Sequence, residues 1–246
     1  MSDGPALNWI DASSFEIGGY TITSDYVHGG SQRKSSDHDF TIMKTRNFFH
    51  HYTALKGENF KKIIELGVYQ GGSFVFLDQF LKPTKFVAVE LSAVPIPSLN
   101  KYVAKNGDRT RLYYGTSQDD VAKLNEIVEK DFGGQLDLVV DDASHFYGPT
   151  KTSFTTLFPR LKPGGLYIIE DWSWGFEAPY QEPTNAWYDQ PAPANLIIDL
   201  MEDMAMRPLI ESVHVERELI KIRRTQHAGG EVFASQARRG RTFNPL

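Results

Sequence analysis

Short apolar runs and helical stretches take turns along the chain from about residue 60 onward. The runs IIEL (63–66), KFVAVEL (85–91), TRLYYG (110–115), LDLVVDD (136–142) and LYIIED (166–171) are rich in β-branched and aromatic residues. They are also too short for buried helices, so each predicts a strand. Between them lie GSFVFLDQFL (72–81), DDVAKLNEIVEK (119–130) and residues 149–161, whose apolar positions recur at helical spacing. In the second of these, Val121, Leu124, Ile127 and Val128 share a face, and Asp119 or Asp120 is placed to cap the start. Pro149 suits a first helical turn, and KPGG (162–165) reads as a turn. Residues 192–206 predict another amphipathic helix, with Leu196, Ile197, Leu200, Met201 and Met204 on its apolar side. LIESVHVERELIKIRRT and EVFASQ predict closing strands. Strands that alternate with helices of this length imply an α/β fold: a Rossmann-like, doubly wound, mostly parallel sheet with helices on both faces.

Two stretches break the alternation. Residues 1–45 read as an irregular N-terminal segment with glycine pairs at Gly18-Gly19 and Gly29-Gly30, followed by one domain over 46–246. Arg33, Lys34, His38, Asp39, Lys44 and Arg46 make that segment a possible cap over a site, or equally a plain polar surface. Residues 172–191 (WSWGFEAPYQEPTNAWYDQP) hold six aromatics and three prolines, which predicts a lid over a substrate or an excursion packed on its own rings. Residues around Pro95 and Pro97 read as proline-broken chain.

Composition narrows the partners. With 246 residues and 41% hydrophobic content the chain can bury a full core. A net charge of −5 makes nucleic acid a poor partner, and the basic residues Arg223, Arg224, Arg238, Arg239 and Arg241 read as a solvated strand end and tail. The absence of cysteine excludes thiolate catalysis and disulfides. No window approaches the roughly 18 apolar residues of a membrane span, and the N-terminus lacks signal-peptide character. The expectation is a cytoplasmic protein without a membrane partner.

In an open parallel sheet ligands bind beyond the carboxyl ends of the strands, so the last residue of each strand is informative. The first ends in ELGVYQGGS (65–73), where Gly67 permits a tight turn and Gly71-Gly72 let backbone approach a ligand. Tyr69 breaks the dinucleotide pattern, so a nicotinamide enzyme is disfavoured. The second ends at Glu90, which suits a ribose diol or is a simple strand-end charge. The third ends in GTSQDD (115–120), a polar turn that suits a purine edge. The fourth and fifth supply Asp141, Asp142, His145, Glu170 and Asp171. Neighbouring strands lie about 4.8 Å apart, so these carboxylates crowd unless a cation sits among them or they serve as caps and ion pairs. Hard oxygen ligands favour Mg²⁺, Mn²⁺ or Ca²⁺. Residues adjacent on a strand point to opposite faces, so not all five converge. His145 is either a site residue or a hydrogen-bonding turn residue.

Together ELGVYQGGS, VAVEL, DDASH and LKPGGLYIIED resemble the class I S-adenosylmethionine-dependent methyltransferases. More narrowly they resemble the metal-dependent natural-product branch of the mycinamicin and macrocin O-methyltransferases and the cephalosporin hydroxylase-like proteins. The resemblance covers residues 60–172. It implies that Glu65, Gly67, Tyr69, Gly71 and Ser73 form the loop around the methionine part of S-adenosylmethionine. It puts Glu90 at the ribose and Ser117 and Gln118 near the adenine, and leaves Asp141 holding loop backbone or touching the cofactor. It implies Asp142, Glu170 and Asp171 as ligands of Mg²⁺ or another hard divalent cation, and His145 as general base beside Asp142. Ala143 stands where relatives often have glycine, and GTSQD where they tend to read GDQSD. The implied activity is O-methylation of a hydroxyl, in a vicinal diol, on a small-molecule acceptor: a glycoside, polyketide or aromatic natural product. Relatives are commonly homo-oligomers. The alternatives are a repurposed, non-methylating enzyme of the same fold, a catechol O-methyltransferase, and a non-catalytic cofactor-binding protein.

Overall fold

The computed structural model describes residues 7–28 and 33–226, together with 230, 232 and 233. The first correction lies at the N-terminus, which is not irregular. Strands β1 (Asn8–Trp9), β2 (Ser14–Ile17), β3 (Tyr20–Ser24) and β4 (Asp39–Ile42) form a sheet in that order, with β4 parallel to β3. Gly18 and Gly19 make the β2–β3 turn with φ of 57° and 82°, a conformation in which side chains with a Cβ are strained. Two to five residues per strand leave too few apolar positions for a period to show, although Phe15 and Ile22 pair across β2 and β3 and are both buried.

Helix α1 (Phe49–Thr53) and helix α2 (Gly72–Leu81) receive this sheet. The Phe15 ring centroid lies 4.9 Å from Phe49 and 5.7 Å from Phe76, both edge-on. Phe15→Ala is therefore expected to cost about 3–5 kcal/mol in chemical denaturation. An effect below about 1 kcal/mol would mean that the small sheet contributes little to global stability.

The main sheet begins with β5 (Lys62–Leu66), β6 (Lys85–Glu90), β7 (Thr110–Tyr114), β8 (Leu136–Asp141) and β9 (Leu161–Glu170). It closes with β10 (Ile210–Val215) and β11 (Leu219–Arg224). The spatial order is β10-β11-β9-β8-β5-β6-β7, parallel from β9 to β7 and antiparallel at β11 and β10. The chain thus runs from β5 out to β7 and crosses back to β8, which puts the switch point between β5 and β8. Helices α3 (Pro97–Lys105), α4 (Val121–Phe132), α5 (Tyr147–Leu157) and α6 (Ala194–Met206) complete the fold. The stretch read as proline-broken is α3, with Pro97 in the first turn, where a missing N–H costs nothing. KPGG belongs to β9, not to a separate turn. Asp120 caps α4 by accepting from the Lys123 N–H at 2.9 Å. The expected EVFASQ strand falls mostly outside the described residues, and Val232 and Phe233 lie in a bend. Arg238, Arg239 and Arg241 also lie outside them, while Arg224 is buried rather than solvated.

The pleat sorts the strands onto two cores. Ile63, Leu138, Val140 and Ile168 pack toward the small sheet and α2, while Ile64, Val139, Tyr167 and Ile169 pack toward α4, α5 and α6. Continuing that alternation puts Glu65, Asp142 and Glu170 on the first face, at the ends of three adjacent strands. Among the described residues no helix is long and apolar enough to cross a membrane.

Candidate active site

A cavity of about 910 Å³ opens at the carboxyl ends of the parallel strands. Gly67 makes its floor possible. With φ of 82°, it lets the turn after β5 press against the turn after β8, where an added Cβ would collide with the Asp142 carbonyl. Of the residues expected at a site, Gly67, Tyr69, Glu90, Ser117, Gln118, Asp142, His145 and Asp171 line this cavity.

The crowding of carboxylates expected from the sequence is real, and the cation among them is a side chain. The Lys44 ammonium donates to Asp142 Oδ2 at 2.8 Å and contacts Glu170 Oε2. The other Glu170 oxygen accepts from the Tyr52 hydroxyl. Lys44 is 5% exposed and lies 4.7 Å from the centre of the Phe48 ring. Burial works to lower its pKa, but Asp142, Glu170 and Asp171 outweigh burial and hold the ammonium above the usual lysine range. Burial and Asp142 push the Glu170 carboxyl up and Lys44 opposes them; the direct contacts describe the ionised pair. The small sheet delivers Lys44: β4 ends two residues earlier, and the Ser24 hydroxyl donates to the Lys44 carbonyl at 2.6 Å.

Glu170 thus stands apart from the group expected with it. Asp142, His145 and Asp171 present ligand atoms that all lie within 4.8 Å of one another, the geometry of a candidate metal site. His145 Nε2 is 3.8 Å from Asp142 Oδ1, the oxygen that Lys44 leaves free. Both His145 (φ 58°) and Asp171 (φ 48°) adopt a left-handed backbone, sparsely used outside glycine and frequent at functional sites. The β10–β11 turn holds Asp171 in place. Its N–H donates to the Glu218 carbonyl at 2.9 Å, and Trp172 Nε1 donates to the Glu216 carbonyl at 2.7 Å. His51, beside Tyr52, contacts both Glu216 and Glu218 and ties that turn to α1. Burial, with Asp142 next, raises the Asp171 carboxyl above its ordinary range, and His145 and Lys44 oppose them.

Glu65 lies beneath the cavity, fully buried, and neither oxygen has a well-formed hydrogen bond among the described residues. Burial pushes its carboxyl up to about 8, against a smaller pull from the nearby Ser73 hydroxyl. A buried carboxyl group without a hydrogen-bonding partner is uncommon and calls for an explanation. Glu90 accepts from the Val68 N–H at 3.1 Å and the Ser92 N–H at 2.9 Å, which fixes its carboxylate while leaving lone pairs for a diol. Gly71 starts α2 with φ of 86°, behind the cavity wall.

Asp141 requires a correction. It faces the α5 side of the sheet, accepting from Ser153 Oγ at 2.6 Å, the Tyr167 hydroxyl at 2.8 Å and Gln118 Nε2 at 3.0 Å. Burial pushes its carboxyl up to about 6 despite these bonds. It does not line the cavity. It acts through Gln118, whose Oε1 accepts from the Ser144 N–H at 2.7 Å and so links the turns after β7 and β8.

The aromatic stretch forms the roof. Trp174, Tyr180 and Trp187 line the cavity with Phe146, their ring centroids between 5.0 and 6.1 Å apart. Trp174 Nε1 donates to the His145 carbonyl at 2.7 Å, so the roof also holds the turn that carries His145. Tyr26 and Tyr52 carry no signal in the sequence beyond being aromatic, since the chain brings them in from distant segments, whereas Phe146 directly follows His145.

Comparison with known proteins agrees with the fold. Residues 64–172 match a family described as a methyltransferase domain. The chain is 27% identical over 207 residues to the 8-demethyl-8-(2-methoxy-alpha-L-rhamnosyl)-tetracenomycin-C 3'-O-methyltransferase of Streptomyces olivaceus, spanning 74% of this chain and 49% of that protein. It is 46% identical over 54 residues to the mycinamicin VI 2''-O-methyltransferase of Micromonospora griseorubida, 22% of this chain and 13% of that one. The chain thus spans about half the length, or less, of these curated relatives. Its fold is similar to that of MycE methyltransferase from the mycinamycin biosynthetic pathway, in complex with Mg and SAH. The TM-score is 0.56 at 22% identity, covering 77% of this chain and 52% of the other. The chain has the class I S-adenosylmethionine-dependent methyltransferase fold, and residues 64–172 carry its match to the methyltransferase-domain family.

Proposed function

We propose that this protein is an S-adenosylmethionine- and divalent-metal-dependent O-methyltransferase that acts on a hydroxyl of a small natural-product acceptor, in a vicinal diol of a glycoside or polyketide. The observation that carries it is the grouping of Asp142, His145 and Asp171 on the floor of a cavity that also holds Gly67 and Glu90. Relatives named for O-methylation of rhamnosyl tetracenomycin and mycinamicin support the acceptor class.

The residues fit both groups. Glu65 would face the α-ammonium of the methionine moiety, Glu90 the ribose hydroxyls, and the turn at Ser117 and Gln118 the adenine. S-adenosylmethionine supplies an electrophilic methyl group. Asp142 and Asp171 would hold Mg²⁺, which supplies charge to orient an acceptor's oxygens and favour their ionisation. His145, beside them, would take the hydroxyl proton as the acceptor oxygen gains the methyl group and the methyl–sulfur bond breaks, with S-adenosylhomocysteine leaving. The aromatic roof excludes water and presents flat apolar surface to the acceptor. The small N-terminal sheet serves as a platform that brings Lys44 and Tyr26 to the site.

Calorimetric titration tests this. S-adenosylmethionine is expected to bind the metal-stripped protein, and a panel of vicinal diols to bind only after Mg²⁺ is added. Absence of cofactor binding in both conditions would overturn the proposal, and diol binding that ignores Mg²⁺ would remove the metal from it.

A further inference from the structure

We propose that Lys44 is a resident cation of the acidic site, which keeps Glu170 from serving as a metal ligand and restricts a divalent ion to Asp142 Oδ1, Asp171 and the neighbourhood of His145. The inference rests on the metal half of the proposed function and concerns which of this chain's carboxylates remain available to an ion.

Four observations carry it. Both oxygens of Glu170 are engaged, one by Lys44 and one by the Tyr52 hydroxyl, and Glu170 is 1% exposed. Lys44 also takes one oxygen of Asp142, which leaves Oδ1 as the oxygen it offers an ion. The ammonium is buried and lies over the Phe48 ring, and the Lys44 backbone carbonyl is held by Ser24. Drawing Glu170 toward an incoming ion would leave a buried ammonium with half its partners, which is strongly unfavourable. The three ligand atoms that do converge, from Asp142, His145 and Asp171, do so without Glu170.

Charge follows the same logic. Asp142, Glu170 and Asp171 carry three negative charges when ionised, and Lys44 removes one of them. A divalent ion then meets a site that its own charge neutralises, so metal is held more weakly than three free carboxylates would hold it. Lys44 is a positioning and specificity-determining residue here, since it acts on the ion through Glu170 and Asp142.

The test is titration of Mn²⁺ into the metal-stripped full chain, followed by electron paramagnetic resonance of free Mn²⁺, for wild type, Lys44→Met and Lys44→Met/Glu170→Gln. S-adenosylhomocysteine binding is measured alongside. Lys44→Met is expected to tighten Mn²⁺ by about tenfold or more, because Glu170 is released to ligate and a positive charge is gone. The double variant is expected to lose most of that gain. Lys44→Gln, which keeps hydrogen-bond donors, is expected to shift in the same direction if the methionine variant does not fold. Unchanged or weaker Mn²⁺ binding in Lys44→Met and Lys44→Gln would overturn the proposal. Mn²⁺ binding in no variant, with S-adenosylhomocysteine still bound, would overturn both this proposal and the metal requirement while the cofactor site stands. Tightened Mn²⁺ binding without S-adenosylhomocysteine binding would support the role of Lys44 and overturn the methyl-transfer reading.

Discussion

Replacing His145 with alanine is expected to slow methyl transfer by about 10²–10⁴-fold, with S-adenosylmethionine affinity unchanged within about threefold. The imidazole faces the cavity 3.8 Å from Asp142 Oδ1, while its backbone is held separately by Trp174. Removing the ring therefore takes away the proton acceptor without releasing the turn. Alanine at a φ of 58° carries some strain, so His145→Asn is the companion variant, because asparagine tolerates the left-handed region. Partial rescue of His145→Ala by added imidazole is expected, since the vacated space opens into the cavity. Mn²⁺ titration of the same variants separates two roles. Retained metal binding with lost turnover supports the base. Loss of both together would make His145 a ligand and remove the base assignment, and full activity would remove it from the site.

Local pattern carried most of the scaffold. β-branched runs marked β5, β6, β8 and β9 because buried parallel strands are continuously apolar, aromatic residues marked the edge strand β7, and Asp120 was readable as a cap because its chemistry is local. The pleat argument also held at 141–142: two adjacent aspartates cannot both reach the cavity, and Asp141 is the one turned away. What local pattern could not carry was long range. Lys44 meets Asp142 across 98 residues and Glu170 across 126; the sequence offers it only as one of six residues of a possible cap, and nothing in the MKTRNFF segment singles out its ammonium for the acidic strand ends. The short strands β1 to β4 carry too few residues for an apolar period to show, although the Gly18-Gly19 pair is a legitimate hairpin signal. Helix α3 was hidden by Pro97, which breaks a helix interior but favours a first turn.

Glu65→Gln is expected to make the ligand-free protein more stable at pH 8 and, at the same time, a poorer binder of S-adenosylmethionine. Burial holds the Glu65 carboxyl up to about 8, far above the ordinary 4.5. The folded state therefore keeps a proton that the unfolded chain releases between these values. Stability from this group is full below about pH 4.5 and is lost as pH rises through about 8. The shift corresponds to at most about 5 kcal/mol, and relaxation of the site will reduce it. Asp141 is pushed up only to about 6, so its contribution is largely spent below the window from about pH 6.5 to 9, where the wild-type and variant curves are compared. In that window the wild type is expected to lose thermal stability that Glu65→Gln retains, by several degrees at pH 8. Binding should invert the effect. A cationic α-ammonium beside Glu65 favours the carboxylate, so wild type is expected to release a proton on binding at pH 7, seen as a buffer-dependent heat in calorimetry. The variant should show no such release and bind about tenfold or more weakly, because a charge-assisted hydrogen bond is lost. A variant that is less stable at pH 8 and binds the cofactor as well as wild type would show that Glu65 is an ionised structural residue, and the cationic end of the ligand would have to lie elsewhere.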